Sequence, residues 1–542
     1  MEFFQLDNIH LYITIALSLI NGILMCFASY KFFQMIQLTG YKLKGYFLWL
    51  KDTKAKYASR MLLLSLLSGF CVLVTNALFN IYHNDVIFSY FGLAFYFIFT
   101  IVFINNLYTS PKKIPLKTTK RMTRLIVAMF IFITIFTLFL TALSTEYFGF
   151  VKFGIICFVP IFVPFIVPIV HAIMIPLEQL IIYCHAVKAK RRLKKLPNLI
   201  KVGITGSFGK TSTKYILNTI LSQKYKVCMS PHSFNTLTGL SKVVNIYLKP
   251  QDEVLIAEMG ARNVGDIKKL CKLVQPKYGI ITSVGNQHLL SFKNVENIYK
   301  TKKELIDYIP EEGKILFNGD NEGAVKLYDL CSKPKEIVGS HTDSKIKAEN
   351  IMYDENGTSF VLIIGKQKYQ CHTLLVGAHN VQNILLCVEL ALTLGLTSKQ
   401  IVDGISKLEP VAHRLELSKT PTNIILDDSY NASVEGSTVA LEVLKTIGHR
   451  KIVITPGLVE LGYQERQENV NFGKRIAKVA DIVVIVNNVN FDAIKEGLEL
   501  ERFNDENIYQ ADDLEKAKIL LNDFIKPGDA ILFENDLPDN YI

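Results

Sequence analysis

The chain has 542 residues and a formal net charge of +11, with half its residues hydrophobic, too long for one compact domain and suited to three or four units. Residues 1–200 hold 20 Lys and Arg against 6 Asp and Glu, leaving 40 against 43 for residues 201–542, so the basic excess belongs to an apolar N-terminal part. A nucleic-acid footprint on the remaining, slightly acidic part is thereby excluded, and nine cysteines without a CxxC pair or framework spacing exclude a disulfide scaffold.

In chain order, five apolar stretches are long enough to span about 30 Å of hydrocarbon: Ile9–Tyr30, Met61–Phe79, Ile87–Asn105, Leu125–Leu143 and Phe150–Met174. The first lacks a basic leader and follows Glu2 and Asp7, so it is not read as a cleavable signal. Lys31, Lys42, Lys44, Lys51, Lys54, Lys56 and Arg60 follow the first span, and Lys112, Lys113, Lys117, Lys120, Arg121 and Arg124 follow the third, while the alternate loops near His83–Asp85 and Ser144–Phe148 carry no Lys or Arg. Positive charge accumulates on the cytoplasmic side. The expectation is a multi-pass protein of a bacterial plasma membrane, with the N-terminus outside and everything after residue 185 in the cytoplasm, where ATP is. Asn21, Asn76 and His171 inside spans are expected to bond neighbouring helices, and Pro160, Pro164 and Pro168 to kink the fifth. A basic stretch with Lys188, Lys190, Arg191, Arg192, Lys194 and Lys195 follows, which reads equally as a stop signal or as a segment lying on the anionic face of a lipid bilayer.

Soluble α/β character begins near residue 198. The run Leu199–Thr205, then Gly206-Ser-Phe-Gly-Lys-Thr-Ser-Thr213, then a helical pattern to Leu221 is the strand, glycine loop and helix order that cradles phosphates. Gly206 and Gly209 let backbone N–H groups face an anion, Lys210 reaches the β- and γ-phosphates, and Thr211 offers a hydroxyl to Mg2+. Two more strands end in Glu258-Met-Gly-Ala and Gly285-Asn-Gln-His288. Ligands collect at the carboxyl ends of strands in open parallel sheets, so Thr211, Glu258 and His288 are candidate metal ligands. From about His413 the elements alternate: strand Asn423–Asp427, helix Val434–Ile447, strand Lys451–Thr455, helix Arg466–Val479, strand Asp481–Val486, helix Leu514–Phe524 and strand Ala530–Phe533. This is a Rossmann-like, doubly wound pattern.

Seven ordered motifs carry a resemblance: Thr205-Gly-Ser-Phe-Gly-Lys-Thr, Glu258-Met-Gly-Ala, Ile281-Thr-Ser-Val-Gly-Asn-Gln-His, Gly377-Ala-His-Asn-Val-Gln-Asn383, Pro410-Val-Ala-His-Arg-Leu-Glu-Leu417, Asp427-Asp-Ser-Tyr-Asn-Ala432 and Val459-Glu-Leu-Gly462. The chain from residue 198 resembles the Mur ligases, ATP-dependent amide ligases of peptidoglycan precursor synthesis, and most of all the member that adds D-alanyl-D-alanine to a UDP-muramoyl-tripeptide. The apolar and basic stretches predict an α-helical membrane domain (1–185) and a basic linker (186–197), and the resemblance implies a P-loop Mur ligase central domain (198–412) and a Rossmann-like C-terminal domain (413–542). It implies ATP and Mg2+ as cofactors, with Lys210 and Thr211 on the phosphates and first metal, Glu258 and His288 completing the metal sites, Asn380 and Asn383 by the adenine, Arg414 on the γ-phosphate and Asp428 on the ribose. Lys302 aligns with the lysine that the family carbamoylates to bridge magnesium, although Lys303 replaces the family's glycine beside it.

Two features depart from the family. Apolar spans stand where those enzymes carry a soluble UDP-sugar domain, and Leu532-Phe-Glu-Asn-Asp-Leu-Pro538 stands where they read Val-Lys-Gly-Ser; Ser433 also replaces an Asn. Three readings follow. One is a ligase that adds an amino acid or dipeptide to a carboxylate-bearing, membrane-associated glycan or cell-wall precursor. Another is a peptidoglycan-precursor ligase for D-alanyl-D-alanine with the membrane part as anchor. The third, a nucleotide-driven transporter or sensor, finds no ABC-type signature and no charge deep in the spans.

Overall fold

A computed structural model describes residues 2–53, 55–82, 87–109, 115–148, 155–231, 233–285, 287, 289–340, 344–430 and 433–535. The chain forms two compact units that divide after Ile181.

The first unit is helical: α1 (Glu2–Ala28), α2 (Tyr30–Leu38), α3 (Leu43–Asp52), α4 (Lys56–Tyr82), α5 (Ile87–Thr109), α6 (Lys120–Phe148) and the first part of α7 (Val159–Lys194). Five of these, α1, α4, α5, α6 and α7, are long and apolar enough to cross a membrane. The basic stretch after the first span, read from sequence as a loop, instead folds as α2 and α3. Its Phe32, Phe33, Ile36 and Tyr46 are buried with Met25, Tyr96 and Met129. Asn21 Nδ2 donates to Thr137 Oγ1 (3.0 Å) and its Oδ1 accepts from the Tyr96 hydroxyl (2.6 Å), so this polar side chain ties α1 to α6 and α5 as expected. The Asn76 side chain lies outside the described residues. Pro164, Pro168 and Pro176 fall inside α7. Pro168 has no N–H for the carbonyl of Pro164, and the Tyr46 hydroxyl donates to that carbonyl instead, at 2.7 Å.

The second unit begins within α7. Ala189 and Leu193 enter its core, and Arg192 donates to the carbonyls of Asn245 (2.8 Å) and Leu248. One face of the basic stretch is therefore committed to the α/β fold, while Lys188, Lys190, Arg191, Lys194 and Lys195 remain exposed.

The central domain runs β1 (Ile200–Thr205), α8 (Lys210–Leu221), β2 (Val227–Met229), α9 (Leu237–Lys242), β3 (Val254–Glu258), α10 (Asp266–Val274), β4 (Tyr278–Ile281), α11 (Leu289–Phe292), α12 (Val295–Tyr308), β5 (Lys314–Asn318), α13 (Glu322–Asp329) and β6 (Lys335–Val338). Its sheet has the order β2-β3-β1-β4-β5-β6, parallel at every pairing. Helices cover both faces, which is why its strands read as continuous apolar runs: β3 is buried along its whole length. A three-stranded antiparallel sheet follows, β7 (Ile346–Asp354), β8 (Gly357–Ile364) and β9 (Gln367–Thr373), and then α14 (Ala378–Thr393) and α15 (Ser398–Ile405).

The C-terminal domain contains β10 (Glu416–Lys419), β11 (Ile424–Asp428), α16 (Val434–Thr446), β12 (Lys451–Thr455), α17 (Glu465–Ala477), β13 (Ile482–Val486), α18 (Phe491–Leu500), β14 (Ile508–Ala511), α19 (Leu514–Leu521) and β15 (Ala530–Glu534). Its order is β10-β11-β15-β12-β13-β14, parallel except for the β10–β11 edge. The expected strands and helices are all present; β10, α18 and β14 are additions.

Candidate active site

The carboxyl ends of β1, β3 and β4 converge on the loop before α8. Gly209 holds φ +82° at the helix N-cap, a left-handed conformation that glycine adopts without strain, and a Cβ there would press on the Asn383 amide. Ser283, just past β4, braces the loop: its carbonyl accepts from Ser207 N (2.8 Å) and its hydroxyl from Phe208 N (2.7 Å). Lys210 Nζ folds back onto the carbonyls of Gly206 (2.6 Å) and Ser207 (2.9 Å). Burial, partly offset by Glu258, lowers its pKa to about 8.

Glu258 ends β3 at 1 % exposure. Its Oε2 accepts from the Thr211 hydroxyl (3.2 Å) and pairs with Lys214 Nζ (3.1 Å), and its Oε1 accepts from Asn235 Nδ2 (3.0 Å). A buried carboxylate needs such partners. The Thr211 hydroxyl and the Glu258 carboxylate, side by side at the mouth of a phosphate-type loop, are the hard oxygen donors that Mg2+ takes, so these residues fit the expected ion. His288 lies outside the described residues.

Lys302, on α12, is 3 % exposed and donates to the same Gly206 carbonyl at 2.9 Å. Burial and the nearby Lys210 charge push its pKa well below the usual lysine value. Lys303 points outward and pairs with Asp307 on the surface, so Lys302 is the one that reaches the phosphate loop.

Asn380 and Asn383, on α14, part company. Asn380 lines a cavity of about 620 Å³ with Thr211, Tyr215, Pro410, Arg414 and Tyr430. Asn383 does not line it; its Oδ1 accepts from Thr213 Oγ1 (3.1 Å) beneath Gly209. Arg414 stacks on the Tyr430 ring at 4.0 Å, and the Tyr430 hydroxyl bonds Ser233. The linker that carries Arg414 holds His413 at φ +59° and Leu415 at φ +50°, conformations that store strain in residues other than glycine. Arg414 lies within electrostatic reach of Lys210, Glu258 and Asp428.

Asp428, at the end of β11, accepts from Leu415 N (3.0 Å). Burial lifts its pKa to about 7 against the opposing pull of Arg414. Glu534 stands opposite it in register on β15, 0 % exposed and with neither carboxylate oxygen hydrogen-bonded among the described residues; burial and Asp428 push its pKa well above the ordinary range. The folded state thus holds the proton more tightly than the unfolded chain, and the stability present at acidic pH is lost as pH rises through neutrality. Glu534→Gln, which removes the proton requirement, should therefore stabilise the protein at pH 8, by roughly 1–3 kcal/mol, and change its stability little at pH 5. An equal shift at both pH values in thermal unfolding would contradict this.

Lys214, Asn235 and Tyr430 were not singled out from the sequence. Lys214 could have been, since it sits one helical turn after Lys210 and so shares its face, and Tyr430 lies inside the Asp427–Ala432 motif; Asn235 carries no local signal.

A phosphate-type loop, two lysines on one of its carbonyls and an arginine-bearing linker to a Rossmann-like domain define an α/β protein built for nucleoside triphosphate chemistry. Residues 204–391 match the family described as "Mur ligase middle domain" and residues 413–534 the "Mur ligase, glutamate ligase domain". The chain belongs to the Mur ligase family. UDP-N-acetylmuramoyl-tripeptide--D-alanyl-D-alanine ligase of Bacillus subtilis (strain 168) is 28 % identical over 277 residues, 51 % of this chain and 59 % of the relative; the enzyme of the same name from Escherichia coli (strain K12) is 28 % identical over 284 residues, 52 % of this chain and 62 % of the relative. The chain thus spans about three-fifths of these relatives' length. The crystal structure of MurF ligase from Thermotoga maritima in complex with ADP shares 26 % identity and a TM-score of 0.59 over 66 % of this chain and 80 % of that one. MurF from Acinetobacter baumannii has the same fold, with a TM-score of 0.60 over 66 % of this chain and 77 % of that one at 23 % identity.

Proposed function

We propose that this protein is an ATP-dependent carboxylate–amine ligase of peptidoglycan precursor synthesis, which adds D-alanyl-D-alanine to a UDP-muramoyl-tripeptide through an acyl phosphate. The observation that carries the reading is the convergence of Lys210, Thr211, Glu258, Lys302 and Arg414 on one phosphate loop in a chain whose relatives bear that enzyme's name.

The acceptor carboxylate attacks the γ-phosphorus in line and ADP leaves. Lys210 and Arg414 neutralise charge that builds on the transferring phosphoryl oxygens. Mg2+, held by Thr211 and Glu258, with His288 the further ligand that the family motif implies, would add neutralisation. The amine then attacks the acyl carbon, and the tetrahedral adduct expels phosphate. Asn380 and the linker from Pro410 offer a cavity for the nucleoside, and Asp428 holds Arg414 by charge. Lys302 takes the role of the carbamoylated lysine: an amine kept neutral by burial adds CO2 at Nζ and releases a proton, which replaces an unfavourable second cation beside Lys210 with an anionic oxygen donor.

The five long apolar helices support the reading of a bilayer anchor, and the Lys and Arg of alternate loops support a ligase on the cytoplasmic side. They also favour a second reading, in which the carboxylate acceptor is membrane-associated. Purified full-length protein with ATP and Mg2+ should release phosphate only when both UDP-muramoyl-tripeptide and D-alanyl-D-alanine are present; release with a lipid-linked precursor but not with the soluble one would replace the first reading with the second. A fragment beginning near Ile182, which keeps the part of α7 that packs into the second unit, separates them further. It should keep ATP binding, and ligate the soluble acceptor at the full-length rate if the helices only anchor; loss of ligation by at least tenfold with ATP binding intact would give the helices a part in substrate binding.

A further inference from the structure

We infer that the helical unit contains a binding site for a phosphate group, supplied by a lipid headgroup, formed by Arg121, Tyr41 and the basic residues around them. Thr119 Oγ1 caps α6 by accepting from Met122 N (3.2 Å), and Lys120, Arg121 and Arg124 crowd the first turn that follows. Cations are unfavourable there, because the helix N-terminus already carries positive potential. Glu178 on α7 hydrogen-bonds only Arg124 among them, in a bidentate pair, Nε to Oε1 at 2.6 Å and Nη2 to Oε2 at 2.7 Å, and meets Arg121 in a looser ion pair. Arg121 Nε stands 3.9 Å from Glu178 Oε2, beyond hydrogen-bond reach, and is buried with no hydrogen-bond partner among the described residues.

The Arg121 guanidinium instead stacks on the Tyr41 ring, 3.8 Å from its centroid. Stacking satisfies the plane and leaves the edge N–H groups available. The Tyr41 hydroxyl is likewise buried and without a partner among the described residues. The ring is held in place from both sides: Tyr41 takes φ +61° in the turn between α2 and α3, and its carbonyl is bonded to His171 Nε2 of α7 at 3.0 Å. Gln37 of α2 exchanges hydrogen bonds with the Lys117 backbone (2.7 and 2.9 Å), which fixes the segment before α6 against the same turn. Lys42, Lys44, Lys117 and Lys120 are exposed around it. Two orphaned donors, one cationic, on a preorganised base in a cationic surround suit a ligand with several anionic oxygens, and Arg forks match phosphate in this way. A third of the Arg121 side chain is exposed, so a phosphate meets the guanidinium at its exposed part, while Nε and the Tyr41 hydroxyl are themselves buried. The site sits at the start of a helix long and apolar enough to cross a membrane, which is the level of lipid headgroups. It is independent of which acceptor the ligase uses.

The test uses full-length protein in detergent, with native mass spectrometry after equilibration with phosphatidic acid or phosphatidylcholine, and with inorganic phosphate as competitor. Wild type should retain one phosphatidic acid at least tenfold more strongly than phosphatidylcholine. Tyr41→Phe, which keeps the ring and stacking and removes one hydroxyl, should weaken retention severalfold, and Arg121→Gln by tenfold or more, while Lys188→Gln with Lys190→Gln should leave it unchanged. ATP binding by the second unit should not change in any variant, which separates this outcome from the fate of the ligase reading. Equal retention by wild type, Tyr41→Phe and Arg121→Gln would overturn the site. Displacement of the lipid by low-millimolar inorganic phosphate, with an equal thermal shift from phosphate alone, would overturn the lipid source.

Discussion

Lys210→Ala should reduce ATP-dependent phosphate release at least about a hundredfold, the scale on which loss of one transition-state charge partner is felt. Among the described residues, Lys210 Nζ hydrogen-bonds only the carbonyls of its own loop, Gly206 and Ser207. Its removal should therefore leave the fold intact: far-ultraviolet circular dichroism and the elution volume should match wild type. Phosphate release within threefold of wild type would remove the nucleotide assignment, and with it every role built around the loop.

The second large effect is expected at Lys302. Two amines compete for the Gly206 carbonyl, at 2.6 Å from Lys210 and 2.9 Å from Lys302, and two ammonium groups in a buried site are too costly to coexist. Burial and the Lys210 charge favour loss of the proton from Lys302, and the neutral amine is the form that reacts with CO2. Lys302→Ala should lower ligation by about a hundredfold, in line with the loss of a group that orients a metal site, and acetate or formate should restore part of it by occupying the vacated space. Lys303→Ala should stay within twofold, because its pair with Asp307 is a surface interaction between half-exposed side chains. Loss at Lys302→Ala without rescue by either anion would leave the residue as a plain cation and end the carbamate reading.

Much of the central site was legible because its chemistry is written locally. A β-branched strand, Gly206 to Gly209, Lys210 and Thr211 follow one another without a gap, and each apolar strand end that supplies a ligand is itself a short readable run. What escaped depends on contacts distant in sequence. Glu258 was found, but not that Lys214 and Asn235 hold it, since nothing in Ser233-Phe-Asn-Thr marks a residue that will meet β3. The antiparallel sheet of β7 to β9 was also missed, although Asn356-Gly357 between two β-branched runs is a hairpin signal. In the C-terminal domain β10 is short and polar because it is an edge strand, and α18 carries Gly497 in its interior, where a Cβ would meet the Val470 carbonyl of α17 at 2.1 Å. The glycine that lets these helices approach is also the residue that weakens the helical pattern. In the apolar unit, α2 and α3 were hidden for a different reason: their lysines mark a loop by charge, while the packing of Phe32, Phe33 and Tyr46 makes it structure.

Glu534 lies in the stretch that departs from the family's Val-Lys-Gly-Ser, and its environment is equally unusual. No cation in the described structure is hydrogen-bonded to it, and the adjoining Asp428 leaves the pair dependent on a proton.

Isotope transfer tests the acyl phosphate most directly. With the acceptor carboxylate labelled with oxygen-18, turnover in ATP and Mg2+ should release inorganic phosphate carrying one labelled oxygen per amide formed, together with ADP. Amide formation with unlabelled phosphate, or with AMP and pyrophosphate in place of ADP and phosphate, would contradict it.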